Sequence, residues 1–456
     1  MVSVSGIRGI IGEDLTPPVI VRYIDSFLHS LGKPSGKILI GRDTRPSGKF
    51  IEYIAEGTIT AQGRDVLNIG IATTPTVLLL TRKMKCAGGI AITASHNPLQ
   101  WNALKLCNNR GLFLDEEDVE NIKKRVLNPD YPDGTWKSFT ELGNSYHEKN
   151  ADIEHIDNLL KHIDSSLIRK KRFKVAIDPV GGAGCVIGRQ FLEKLDCIVN
   201  GINEKPGTMF PRGAEPVPEN LTGLCSLVKS SKSDIGFALD PDGDRLAVVS
   251  ESGVAIGEEY TLVLAGESYL RRHRTDIACN LSTSLMIDDL AKRYKVGVHR
   301  TKIGEMNVTA ELLKKKINFG GEGNGGVIVT EINPCRDSIT AMGLILELLA
   351  QTDLTITDIV KSFPSYKMKK VKVPADILTG KIIKEELYIN LGKIAKDYFP
   401  GYSIDNLDGI KLYNDREWLH IRFSNTEPLV RIFSESSNNE RTEELIKIGK
   451  TLINKL

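Results

Sequence analysis

Three aspartates, Asp240, Asp242 and Asp244, occupy alternate positions in FALDPDGDRLAVV, between two apolar runs, and Arg245 closes the set. Pro241 and Gly243 exclude a strand interior, because proline and glycine break the ladder and the carboxylates would repel one another. Two ionised groups 4 Å apart interact by about 4 kcal/mol at an effective dielectric of 20, so the cluster needs a cation or must take up protons. An all-oxygen ligand set selects Mg²⁺ or a similar hard cation. The plainer reading is an aspartate-rich surface turn. A calcium loop would also accept this aspartate spacing, with Glu251 as its last ligand, but Arg245 stands where that loop needs glycine and the flanks read as strands.

A second stretch, TASHNP, puts Ser95 beside His96 at a strand end. Acyl transfer is one chemistry for that pair, yet no G-x-S-x-G elbow is present, and in an extended chain a histidine next in sequence points away from the serine. A triad assembled from distant residues stays open, as does a capping or turn serine ahead of Asn97-Pro98. In GEGNGG (321–326) the glycines allow close backbone approach, and Glu322 and Asn324 could grip adjacent sugar hydroxyls; a tight turn reads equally well. RFSNTEPLVR combines Arg422, Ser424, Asn425, Thr426 and Arg431, an inventory of hydroxyls, an amide and guanidinium forks suited to phosphate. Its alternative is a surface turn next to strand arginines.

The elements that must position these residues recur three times. KILIGRD, SGKFIEYIAEGTITAQG and RDVLNIG precede GGIAIT and TASHNP; FKVAIDP, GGAGCVIGRQFLEKL and DCIVNGI precede DIGFAL and DPDGDR; DIACNLS, TSLMIDDLAKRYK and KVGVHR precede INFG and GEGNGG. Strand and helix alternate in this order, which predicts α/β units with mixed, largely parallel sheets. Each hexad leads into a further apolar run, so a strand reverses there. Ligands collect beyond the carboxyl ends of strands in such sheets, and three equivalent edges predict a central cleft. The tail, from VKVPADI onward, reads as a C-terminal α+β domain. The expected domains are 1–150, 151–252, 253–365 and 366–456.

A chain of 456 residues is too long for one core. Its 60 basic and 58 acidic side chains leave a net charge of +2, which implies no nucleic-acid partner, and the KKR and KKK clusters at 170–172 and 314–316 read as solvated ends of elements. No segment is long and apolar enough for a membrane span, and the start lacks a secretion signal. Seven cysteines with no C-x-x-C pair predict reduced thiols and a cytoplasmic location. A homo-oligomer stays open.

TASHNP, DPDGDR, a GE-x-x-G loop and R-x-SNTEP, in this order, with SGIRGIIG at the start and GRDTRPSG at 41–48, together resemble the α-D-phosphohexomutase family over essentially the whole chain. The resemblance implies a serine phosphorylated in the resting enzyme, Ser95, with His96 beside it. It implies a Mg²⁺ held by Asp240, Asp242, Asp244 and the phosphorylated Ser95. Arg245, Lys105 and Arg8 would supply further positive charge, with Lys105 or Arg8 also moving the proton of the substrate hydroxyl. Glu322 and Asn324 would hold the sugar, and Arg422, Ser424, Asn425, Thr426 and Arg431 the phosphate that does not react. The implied reaction interconverts a hexose 6-phosphate and 1-phosphate through a sugar 1,6-bisphosphate, which also serves as activator. Many members read GE-x-SGH in the sugar loop; here Asn324 and Gly326 replace the serine and histidine, a form similar to phosphoglucosamine mutase-like members. Phosphomannomutase or phosphoglucomutase specificity is the alternative, and a metal-dependent sugar phosphatase a further one.

Overall fold

The computed structural model describes the chain except residues 1, 4–5, 33–35, 129–130, 132–135, 375–383 and 424–428. Packing divides it into two bodies, Met1–Tyr269 with Asn324–Thr357 and Leu270–Gly323 with Asp358–Leu456.

In the first body the apolar run Ile38–Arg42 becomes a strand parallel to both Val66–Ile71 and Gly88–Ile92. Parallel neighbours need crossovers, and the helices Gly48–Ala61 and Thr74–Lys83 supply them. Ile51, Ala55 and Ile59 of the first helix recur at helical spacing and pack with Ile38, Ile40, Ile90 and Ile92 of the sheet. After TASHNP the chain reverses as expected, and Trp101–Asn108 runs antiparallel to Gly88–Ile92. Three additions complete a seven-stranded sheet: Val2–Ser3, Gly6–Ile10 and Ser145–His147. Gly6–Ile10 lies antiparallel on Trp101–Asn108, with Arg8 opposite Ala103, which brings the N-terminal arginine beside the strand that carries Lys105.

The second copy repeats the plan. Lys174–Asp178 is parallel to Ile198–Gly201 and Ile235–Leu239, and Leu246–Ser250 returns antiparallel after DPDGDR. In both copies the strand that ends in the hexad lies between the first strand and the reversed one. Gly326–Val329 and the helix Ser338–Thr352 also belong to this body. Asp337 caps that helix by accepting from Ile339 N at 3.0 Å.

The second body holds Ile277–Asn280, parallel to Val298–Thr301 and Phe319–Glu322, with helices Met286–Tyr294 and Glu305–Lys315. The KKK cluster closes the latter helix, where Lys316 takes the left-handed conformation. The C-terminal domain is a five-stranded antiparallel sheet in the order Lys367–Pro374, Leu429–Ser436, Trp418–Phe423, Ile410–Tyr413, Ser403–Asp405. Helices Lys384–Tyr398 and Asn439–Asn454 cover one face, burying Leu391, Leu445 and Leu452 against Leu419, Ile421 and Ile432. The fold is thus three α/β domains with mixed, mostly parallel sheets and a C-terminal antiparallel-sheet domain.

Candidate active site

Ser95 follows the strand Gly88–Ile92 in a left-handed backbone conformation, φ 49°, which a non-glycine residue adopts only when its surroundings impose it. Arg45 imposes it. Its buried guanidinium donates to the carbonyls of Ser95 (2.5 Å), Asn97 (2.6 Å), Pro98 (2.7 Å) and Trp101 (3.0 Å). Asp43 orients this arginine through Nε at 3.1 Å and accepts from Thr93 Oγ1 at 2.6 Å, and Thr93 Oγ1 in turn accepts from Ser95 N. Arg8 Nη1 holds the Asn97 side chain at 2.5 Å.

The turn overturns one expectation from the sequence. The chain is not extended at Ser95, so His96 folds back and its Nδ1 lies 3.4 Å from Ser95 Oγ. Burial, with Arg245 and Arg8 nearby, pushes the imidazole down to about 3, leaving it neutral.

Ser95 Oγ donates to Asp240 Oδ2 at 3.1 Å. The aspartate turn occupies both oxygens of Asp240 but leaves one oxygen available on each of Asp242 and Asp244. Asp240 Oδ1 accepts from the backbone N–H groups of Asp244 and Arg245, both at 3.1 Å. Asp242 Oδ2 takes Lys105 Nζ at 2.6 Å and Thr74 Oγ1 at 2.5 Å. Asp244 Oδ2 takes Arg336 Nη2 at 2.6 Å. Gly243, at φ 68°, closes the turn where a Cβ would come within 2.6 Å of Thr73 Cγ2, so glycine is required.

These contacts separate the three carboxyls. Burial, with Asp244 and Asp242 alongside, raises Asp240 well above the ordinary carboxylate range. Burial also pushes Asp242 and Asp244 up, but the Lys105 ammonium overcomes it at Asp242 and the Arg336 guanidinium at Asp244, and both end below that range.

Asp242 Oδ1 and Asp244 Oδ1 are buried without a hydrogen-bond partner among the described residues. One ligand oxygen from each aspartate lies within 4.8 Å of the others. Orphaned acceptors in an all-oxygen set fit a hard divalent cation, so the site can hold a metal. Lys105, Arg336 and Arg245 balance the three carboxylates in charge, Arg245 Nε standing 3.7 Å from Asp244 Oδ1. A dication added together with a phosphoserine of about −2 preserves that balance.

In the first body, then, Ser95, His96, Arg8, Lys105, Arg245 and the three aspartates come together. Asn324 also lies in this body, in a turn where its Oδ1 accepts from Gly326 N at 3.3 Å and Gly325 O accepts from Leu246 N at 3.0 Å.

Glu322, Arg422 and Arg431 lie in the second body. Glu322 Oε1 accepts from Asn280 Nδ2 at 2.8 Å and Gly304 N at 3.0 Å. Arg422 and Arg431 are register partners on antiparallel strands, and Arg431 is paired on its other side with Lys372. Residues opposite one another share a sheet face, so three cations form a ladder across three strands, an arrangement that favours an anion. Asp408 supplies one counter-charge, Oδ1 to Arg422 Nε at 2.7 Å. Ser424, Asn425 and Thr426 lie outside the described residues.

Sequence reasoning overlooked Arg45, Asp43, Thr93, Thr74, Arg336, Asn280, Lys372 and Asp408. Arg45 and Asp43 stand in GRDTRPSG, a stretch noted for its resemblance without a role. Register across strands would have found Lys372; nothing local marks the others.

Three regions match domain families described as phosphoglucomutase/phosphomannomutase, alpha/beta/alpha domain I (residues 2–133), domain II (153–253) and domain III (257–366). A Thermococcus kodakarensis protein named phosphoglucomutase/phosphomannomutase is 32% identical over 98% of this chain and 97% of its own. A Methanococcoides burtonii protein named "Probable phosphoglucosamine mutase" is also 32% identical, over 98% of each chain. Among solved structures, a phosphoglucomutase/phosphomannomutase family protein from Burkholderia thailandensis shares the fold at a TM-score of 0.83 and 21% identity, covering 99% of this chain and 98% of that one. The chain therefore belongs to the α-D-phosphohexomutase family, isomerases that relocate a phosphoryl group on a hexose.

Proposed function

We propose that the chain interconverts glucosamine 6-phosphate and glucosamine 1-phosphate, with a phosphoryl group carried on Ser95 and a sugar 1,6-bisphosphate as intermediate and activator. The observation that carries this reading is the contact of Ser95 Oγ with Asp240 across 3.1 Å, because it sets a nucleophile at a cation site. Bound there, Mg²⁺ would supply Lewis-acid offset of charge on a phosphoryl group.

The remaining work falls to the chain's own residues. Arg45 fixes the Ser95 backbone, so Oγ faces the aspartates with little freedom to lose. In the forward step the bond from Ser95 Oγ to phosphorus breaks as a sugar hydroxyl oxygen bonds to phosphorus, and the hydroxyl proton needs an acceptor. Lys105 and Arg8 are the two side chains to which we assign the movement of that proton. Burial lowers the Arg8 guanidinium. Lys105 is instead held charged by Asp242 and Asp244, which outweigh its burial.

In the second body we assign Glu322 to the sugar hydroxyls, and Arg422 and Arg431, with Lys372 beside them, to the phosphate that does not react. Asn324 is assigned to the sugar as well. The bisphosphate would then turn over so that each phosphate visits Ser95 once.

Glucosamine is favoured by Asn324 and Gly326 in the sugar loop and by the M. burtonii relative's name. The T. kodakarensis relative's name favours glucose and mannose phosphates as a second reading. Assays with the 6-phosphates of glucosamine, glucose and mannose in parallel, with Mg²⁺ and trace bisphosphate, test the choice. A higher kcat/KM for either neutral hexose overturns the preference, and steady release of inorganic phosphate would make the enzyme a phosphatase. No described helix is long and apolar enough to cross a membrane, and the seven cysteines form no disulfide with one another. We place the enzyme in the cytoplasm on the latter ground.

A further inference from the structure

Asp408 receives contacts from three directions in the second body. Its Oδ1 accepts from Arg422 Nε at 2.7 Å, its Oδ2 from Ile303 N at 2.9 Å, and its carbonyl oxygen from His420 Nε2 at 2.6 Å. The peptide that follows Ile303 continues the line: Gly304 N donates to Glu322 Oε1 at 3.0 Å, and Asn280 Nδ2 reaches the same oxygen at 2.8 Å. Adjacent N–H groups of one short loop are therefore pinned at one end by Asp408 and at the other by Glu322. Gly409 makes the approach of Asp408 to the strand feasible. At φ 93° its hydrogen stands where a Cβ would lie 2.5 Å from Ile421 O and 3.2 Å from Arg422 Cα.

From this chain of contacts we infer that Asp408 is a positioning residue that sets the spacing between the arginine assigned to the distal phosphate and the carboxylate assigned to the sugar hydroxyls. The inference rests on the roles proposed above for Arg422 and Glu322. A carboxylate suits the task because its two oxygens serve two donors at once, fixing the arginine fork while neutralising part of its charge. A mutase imposes a special demand on that spacing. The sugar must be held by the same two groups whichever phosphate occupies the distal site, so an error in the distance weakens both orientations alike.

The test compares steady-state kinetics of Asp408→Asn, Asp408→Ala, Arg422→Gln and Glu322→Gln in the forward and reverse directions. The asparagine is isosteric but keeps one carbonyl acceptor for two donors, so it remains informative should the alanine variant fail to fold. We expect Asp408→Asn to raise KM in both directions by a similar factor, about 10-fold, the scale for losing a charge-assisted hydrogen bond. Its kcat should stay within about 2-fold, since the Ser95 site is untouched. A loss of kcat at unchanged KM would mark a merely structural residue and overturn the inference. If Arg422→Gln and Glu322→Gln raise KM while Asp408→Asn does not, the coupling falls and the two site assignments stand. If neither of those variants raises KM, the assignments fall and the coupling with them.

Discussion

Lys105 Nζ lies 2.6 Å from Asp242 Oδ2 and 3.5 Å from Asp244 Oδ2, a buried ammonium shared by two of the three clustered carboxylates. Together with the Arg336 guanidinium at Asp244, this contact decides which carboxylates stay ionised. Among the described residues Asp240 is in no such ion pair, Arg245 offsets its burial only in part, and its carboxyl is the one raised.

Replacing Lys105 with methionine leaves Asp242 buried and uncompensated. We expect the metal-free protein to lose roughly 3 kcal/mol of stability at neutral pH, the cost of breaking a buried pair by removing one partner. Urea unfolding in EDTA measures it. In the wild type the lowered Asp242 carboxyl contributes stability that is present at neutral pH and lost as the pH falls through its folded value. The variant's stability should therefore depend less on pH on the acid side.

An amide at position 240 removes the cost that burial and the two acidic neighbours place on the Asp240 carboxyl. Asp240→Asn should raise the Tm of the metal-free protein by about 1 to 2 °C, on the order of 1 kcal/mol. It should also abolish most of the stabilisation that added Mg²⁺ gives the wild type, which amounts to about 2.7 kcal/mol at a hundred times Kd. Differential scanning calorimetry with and without Mg²⁺ reads both effects. A variant destabilised without metal would contradict the cost assigned to this buried carboxyl.

His420 gives a pH signature of its own. Its Nε2 donates to Asp408 O at 2.6 Å, so Nδ1 carries no proton and accepts from Ser282 Oγ at 2.9 Å. Burial lowers this histidine from 6.5 to about 4. The unfolded chain then binds a proton that the folded one refuses, so stability is full above pH 6.5 and declines as the pH falls to about 4. The loss should approach roughly 3 kcal/mol. Unfolding of the wild type followed against pH should display it, and His420→Gln, less stable at neutral pH, should have a flatter profile.

Much of this site was legible because its chemistry sits at repeated strand ends. Ser95 and the three aspartates could be named from hexads that each follow an apolar strand, and the rule that ligands gather at carboxyl edges placed them together. What holds them was not legible. Arg45 acts on carbonyls of residues 95 to 101, and Arg336 reaches Asp244 from 92 residues away, partnerships that no local pattern encodes. Only the direction of the His96 side chain was misjudged, because extended geometry was assumed at Ser95, whose φ is 49°. The strand Gly6–Ile10 was missed as an element, although its arginine was singled out, because a five-residue strand near the N-terminus offers too little alternation to read.

The most direct measurement is of the phosphoryl group itself. Incubating the protein with Mg²⁺ and glucose 1,6-bisphosphate, then mapping the modified peptide by mass spectrometry, should place one phosphoryl group on Ser95. Added hexose 6-phosphate should remove it as bisphosphate forms. Ser95→Ala should lower mutase activity by on the order of 1000-fold. Mutase activity that persists in Ser95→Ala, or a phosphoryl group carried on some other residue, would contradict the account.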